Sequence, residues 1–261
     1  MSGLLPAGAW PWMAGLGGLI LGSFLNTLAL SLAGGASPWR ARSACPQCGH
    51  RLAWFELLPL ISFAVQAGRC RHCQSRLSLI YPVGEALTAL TVLVCFWRFG
   101  PTAQGLTALI FCLVLLVSAL VDLKSMLVPD VIVLPALVLA LILSPWLPGP
   151  GLAQALAGAV FIGGGMWVVA WLFRALRGVE GLGLGDVKLG ALLGAFLGPS
   201  AGGLALGLGA ASGLFSYLGL YAAGKVEWRT RLPFAPFLAL GGALMCLAGG
   251  PLSELLLGVA P

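Results

Sequence analysis

Glu180-Gly-Leu-Gly-Leu-Gly-Asp186-Val-Lys188 sets one acid and one base into a stretch that otherwise reads as lipid-soluble. An ionised carboxylate near hydrocarbon is costly, so such an acid is either paired inside a helical bundle or placed there for chemistry. Glycines at 181, 183, 185 and 190 leave the backbone around Asp186 bare, open to close approach by another helix or an extended peptide. Taken alone, the run reads equally as a helix-packing motif whose aspartate caps the next helix.

Outward from this stretch the chain stays apolar. Of 261 residues 59% are hydrophobic and only 8% charged, with a mean hydropathy of +1.01, against roughly 25% charge in a soluble domain. The class is therefore an all-α, multi-pass membrane protein. Apolar runs at 8–33, 78–97, 102–122, 131–147, 152–173, 184–199, 202–222 and 234–258 each approach the ~20 residues that a bilayer core requires. About eight transmembrane helices are expected, and the Gly and Pro breaks between them belong at the interfaces or against protein.

The net charge of +6 reports topology rather than nucleic-acid binding. Arg40, Arg42, Arg51, Arg69, Arg71 and Arg76 follow the first run, Lys124 the third, Arg174 and Arg177 the fifth, and Lys225, Arg229 and Arg231 the seventh. All of these loops fall on one side, with Lys188 nearest it, and of 14 cations only Arg98 falls on the other. The positive-inside rule makes the crowded side cytoplasmic and puts both termini outside the cytoplasm. The first run is too long for a signal peptide, carries Ser23 and Asn26, and shows no convincing cleavage site, so it reads as a retained helix. Ser23, Asn26 and Thr27 inside it are expected to hydrogen-bond to neighbouring helices.

Three segments organise the chain: a first helix at 1–33, one soluble insertion at 34–79, and a helical bundle at 80–261. The insertion holds Cys45-Pro-Gln-Cys48 and Cys70-Arg-His-Cys73, two CxxC pairs separated by 21 residues. That is close to the spacing of a knuckle in which four thiolates hold a tetrahedral zinc ion. Two disulfides are the alternative, disfavoured by a reducing cytoplasm. Four-sulfur coordination is closed, so the metal would be structural, with His50 and His72 as bystanders. Cys95, Cys112 and Cys246 lie in apolar runs and act as small apolar groups.

Four more acids matter. Glu85, in Tyr81-Pro-Val-Gly-Glu85, is expected to pair with a loop arginine. Asp130 follows Pro129 and is expected to cap the fourth helix. Asp122 stands at the last turn of the third helix, the negative end of the dipole, where a carboxylate is disfavoured unless something requires it. Asp122 and Asp186 are then two carboxylates on different helices at similar depth, the arrangement of an aspartic protease that shares one proton and activates water without a metal. An ion- or proton-coupled transporter using the same pair is the alternative, although inverted repeats and midplane helix breaks are not found. Lys188 reads as an interfacial anchor. Glu180 reads either as an attractor for a positive substrate segment or as a solvated acid beside Arg177.

Over nearly its whole length the chain resembles the type IV prepilin peptidases of the bifunctional leader peptidase and N-methyltransferase kind. GSFLN, SACPQC, GRCRHC, YPVGE, DLKSMLVPD, EGLGLGDVKLGALLGAFLG and LPFAPFLALG follow in that family's order, and its GxGD motif falls on Gly183-Leu-Gly185-Asp186 with the partner acid at Asp122. The resemblance implies removal of the short basic leader of prepilins or type II secretion pseudopilins at the cytoplasmic face. Methylation of the new N-terminus from S-adenosylmethionine is implied to follow, with no donor-binding residues assigned. The partners implied are those substrates and the lipid bilayer. The sequence departs from the family at Leu57 and Ile80, beside the loop associated with methylation, and at Ala235, where a glycine is usual.

Overall fold

The computed structural model describes residues 10–34, 45, 47–146, 148–178, 181–227 and 230–257; Arg40, Arg42, Glu180, Arg229 and both chain ends lie outside these. The chain divides into two compact units, Met1–Gly105 and Leu106–Pro261.

In the first unit, helix α1 (Trp10–Ala33) packs against helix α3 (Ile80–Phe99). Lipid tails are as apolar as leucine, so two helices associate there only if their backbones come close. Gly15, Gly18 and Gly22 permit this: a Cβ on Gly18 would stand 2.9 Å from Ala89 Cα, and one on Gly22 2.9 Å from Glu85 Cα. Gly15 faces Leu93, so the contacts run in reverse order along α3 and the pair is antiparallel. Trp12, Leu16, Ile20 and Phe24 recur every fourth residue and remain exposed, forming the lipid-facing stripe of α1. Between the two helices in sequence, the described residues hold a short 3₁₀ turn at Trp54–Leu57, a five-residue helix α2 (Ile61–Val65) and a single antiparallel bridge between Arg69 and Arg76.

The remaining helices are α4 (Ala103–Ser125), α5 (Asp130–Leu143), α6 (Gly151–Gly158), α7 (Gly165–Arg177), α8 (Leu184–Ala222) and α9 (Ala235–Leu257). A wider π-type turn at Ala159–Gly164 joins α6 to α7 without a break. Gly158 and Gly194 touch backbone to backbone, and Gly163 lies against Ala191, so this turn is seated on α8 through small residues. The core of the second unit gathers Phe111, Leu115, Leu189, Leu192, Leu193 and Leu238, with the Phe111 and Phe196 rings stacked at 4.6 Å.

Helix α8 is not one rod. Gly198 adopts φ 78° and ψ 177°, a backbone open mainly to glycine, and Pro199 follows it. A Cβ on Gly202 would stand 3.1 Å from Gly194 Cα, whereas eight residues of straight helix rise about 12 Å. The chain therefore doubles back at Gly198.

Each of the eight apolar runs falls largely on helix among the described residues. Among the described residues, five helices are long and apolar enough to cross a membrane: Pro11–Ala33, Ile80–Phe99, Ala103–Ser125, Gly151–Arg177 and the doubled Leu184–Ala222. Asp130–Leu143 and Ala235–Gly249 are apolar but shorter. The protein is an all-helical, multi-pass membrane protein.

Candidate functional site

Asp122 occupies the last turn of α4 and is 5% exposed. The C-terminal end of a helix repels a carboxylate, so burial here demands outside donors. The second unit supplies them from the start of α9: the Ala235 backbone N–H donates to Asp122 Oδ2 at 3.0 Å, and the Phe234 backbone N–H donates as well. The carboxylate thus sits at the negative end of one helix and the positive end of another. Ala235 is fully buried at this contact. Pro236 follows and has no N–H of its own to leave unsatisfied.

Asp186 is the third residue of α8, counted from its N-cap Gly183. Its side chain reaches back to accept a hydrogen bond from the Gly183 backbone N–H, the half of a capping box that an acid at this position makes. The two glycines of the motif have separate steric duties. A Cβ on Gly183 would lie 3.3 Å from Asp186 Oδ2, and one on Gly185 would lie 2.7 Å from Val128 Cβ. Gly185 therefore lets the start of α8 close on the segment that leaves α4. The result brings Asp186 within Coulombic range of Asp122. Both acids rest on helix N-termini, where backbone N–H groups and the dipole favour negative charge. Carboxyl groups are able to give a proton to, or take one from, a third group placed beside them.

Asp130 differs from expectation. It makes no capping bond at the start of α5; both of its carboxylate oxygens instead accept from Lys188 Nζ at 2.7 Å. Lys188 stands two residues beyond Asp186, on another side of the helix, and so faces α5. A bidentate cation at this range outcompetes a cap for an exposed carboxylate.

Glu85 also finds other partners than an arginine. The Leu60 backbone N–H donates to its Oε2 at 2.9 Å, and the Ser23 hydroxyl donates to it too. Asn26 Nδ2 donates to the Tyr81 carbonyl at 2.6 Å, so two of the three polar residues of α1 bridge to α3 as expected. Thr27 instead donates within its own helix, to the Ser23 carbonyl at 3.0 Å.

In the insertion, Cys45, Cys48, Cys70 and Cys73 bring their sulfur atoms within 4.8 Å of one another, all four unbridged. Cys45 and Cys73 stand 3.8 Å apart, Cys48 and Cys70 4.0 Å. Four sulfurs at the usual ~2.3 Å from one tetrahedral zinc would stand about 3.8 Å from each other, so the donor set and its spacing fit that ion. The thiols are electrically unequal. Backbone N–H groups of Cys48 and Gln47, with the Cys70 and Ser75 side chains, lower Cys45 to about 6 against opposing desolvation. At Cys48 the His50 backbone N–H favours the thiolate, yet desolvation and the three neighbouring sulfurs prevail and raise it to about 12. Crowding of this kind among sulfurs is what a divalent cation relieves. The His50 and His72 rings stack on each other at 4.9 Å, outside the sulfur cluster.

Sequence reasoning gave Phe234, Ala235 and Leu60 no role at the site, because each acts through a backbone N–H that every residue but proline carries.

These features define a helical membrane protein with two helix-capping acids drawn together in one bundle and a four-thiol cluster between its first two long helices. Residues 16–99 match the bacterial Peptidase A24 N-terminal domain, and residues 109–250 match the type IV leader peptidase family. The chain belongs to the type IV leader peptidase family. It is 40% identical over 210 residues to a Pseudomonas putida protein named prepilin leader peptidase/N-methyltransferase, covering 79% of this chain and 72% of that one. Proteins of the same name are similar in Burkholderia pseudomallei strain 1026b, 36% identical over 82% of this chain and 70% of that protein, and in Pseudomonas aeruginosa, 35% identical over 81% and 73%. No solved structure matches the chain.

Proposed function

We propose that this protein is a membrane aspartic endopeptidase that removes the leader peptide of type IV prepilins or type II secretion pseudopilins at the cytoplasmic face, then N-methylates the exposed amine. The observation that carries the peptidase reading is the convergence of Asp122 and Asp186 at the ends of α4 and α8. Like charges within Coulombic range of each other do not both ionise readily, so one carboxyl would keep a proton while its partner is ionised. The ionised member takes a proton from water as its oxygen attacks the scissile carbonyl, and the protonated member gives its proton to the carbonyl oxygen. On collapse the C–N bond breaks and the departing amine receives a proton, leaving leader carboxylate and mature amine. The Ala235 and Phe234 N–H groups hold Asp122 in place throughout, and the Gly183 N–H does so for Asp186. Family membership leaves the transporter alternative without support.

For methyl transfer, S-adenosylmethionine would be the co-substrate, supplying the methyl group carried onto the mature amine. The insertion at 34–79 would serve as the platform for this step. Cys45, Cys48, Cys70 and Cys73 would hold a zinc ion that ties the platform together, with no open position for chemistry. Eight crossings, counting α8 as two, would place both termini outside the cytoplasm. Co-expression with a candidate prepilin, followed by mass measurement of the product, tests the whole reading. A pilin recovered at its full precursor mass would defeat it.

A further inference from the structure

The soluble insertion carries a groove of about 530 Å³ lined by Phe55, Leu58, Ile61, Val65, Arg69 and Arg71, among others. Its apolar wall is unusually bare for a soluble surface: Ile61 is 61% and Val65 80% exposed, one turn apart on the same face of α2. Phe55 and Leu58 continue this wall, and the Arg71 guanidinium lies over the Phe55 ring at 5.5 Å.

Two features say what covers it. The first is depth. Leu60, immediately before α2, donates its N–H to Glu85, five residues into a helix that crosses the membrane. Five residues of helix rise about 7 Å, so the start of α2 is held level with the second turn of α3, near the end of that membrane-length helix. The second is charge. Arg51, Arg69, Arg71 and Arg76 are all exposed, while the only acid in the described part of the insertion, Glu56, is buried with its Oε2 accepting the Ala53 N–H. An apolar wall rimmed by arginines at this depth complements a leaflet of anionic lipid. It is the wrong sign for a basic peptide.

We propose that this groove docks onto the surrounding leaflet by seating an anionic phospholipid, with Arg69 and Arg71 at the phosphate and Ile61, Val65, Leu58 and Phe55 against the upper acyl chain. The insertion is then fastened to the bilayer at a third point besides α1 and α3.

The test uses the full chain in nanodiscs, with a benzophenone amino acid in place of Val65 and lipid adducts counted by mass spectrometry after irradiation. Adducts should form with phosphatidylglycerol and be scarce in discs of phosphatidylcholine alone. Arg69→Gln and Arg71→Gln should each lower the yield by about fivefold, the scale of one basic side chain at an anionic leaflet. Retained prepilin cleavage in these variants would show that the fold survives. Absence of lipid adducts, or a yield indifferent to both headgroup and arginines, would overturn the proposal. So would displacement of the adduct by S-adenosylmethionine, which would make the groove a donor site, or by prepilin, which would make it a peptide site.

Discussion

Asp122 Oδ2 takes its hydrogen bond from the backbone N–H of Ala235, 113 residues further along the chain, at 3.0 Å. An acid buried at the wrong end of its own helix is thus supported by the right end of another. Replacing Ala235 with proline removes that donor, whereas Ala235→Gly keeps it. A hydrogen bond to a charged group contributes about 1.5–3 kcal/mol, so Ala235→Pro should lower kcat for leader cleavage roughly ten- to a hundredfold. Ala235→Gly should stay within a few-fold of the parent. Equal activity of the two variants would mean that the N–H does not support the acid.

Asp122→Asn and Asp186→Asn should each abolish cleavage while the protein still inserts and folds, because either change destroys the shared-proton pair. Asp130→Asn removes the partner of Lys188 on an exposed surface, which costs under about 1 kcal/mol. Substantial activity should remain. An inactive Asp130→Asn with an active Asp122→Asn would reverse the assignment of the acids.

Purified protein should carry about one zinc per chain, lost when Cys45 and Cys70 are both replaced by serine. Metal analysis reads this directly. Replacing all four cysteines should abolish methylation of a pre-cleaved pilin yet leave measurable cleavage, since a metal-tied loop can open while a bundle stays packed. Metal-free protein of undiminished stability would remove the claim.

Gly22→Ala should destabilise the α1–α3 pair by about 1–3 kcal/mol, the range for overpacking, because the new Cβ would stand 2.9 Å from Glu85 Cα. Gly17→Ala is the internal control, as nothing lies within 4 Å of its Cβ position. Thermal unfolding in detergent should separate the two. Matching midpoints would show that the seam is looser than its glycines indicate.

What could be read ahead of the structure followed from side-chain chemistry repeated at fixed spacing. The apolar runs, the paired CxxC motifs and the acid of GxGD each announce themselves because hydrocarbon thickness, tetrahedral coordination and the cost of a lipid-side charge constrain them locally. Partners supplied by distant backbone were not legible: neither Ala235 N–H nor Leu60 N–H is encoded by residue type. Asp130 misled for a related reason. Its position after Pro129 suits a cap, but the competing cation, Lys188, lies 58 residues away in sequence, and proximity of that kind exists only after folding. The reversal at Gly198 was legible as the break between the apolar runs 184–199 and 202–222, although the turn falls just inside the end of the first.

Helix α5 has 14 residues, a rise of about 21 Å against a hydrocarbon core of about 30 Å. The stretch of α8 before Gly198 is equally brief, and both begin at the acids Asp130 and Asp186 or close by. Hydrophobic mismatch of this sign is met by thinning of the adjacent bilayer. The protein would then carry its own dimple, in which water and the unwound end of a substrate reach the acids without leaving the membrane plane. Cleavage in proteoliposomes should accordingly be faster in short-chain lipids than in long-chain ones, where the dimple costs more to maintain.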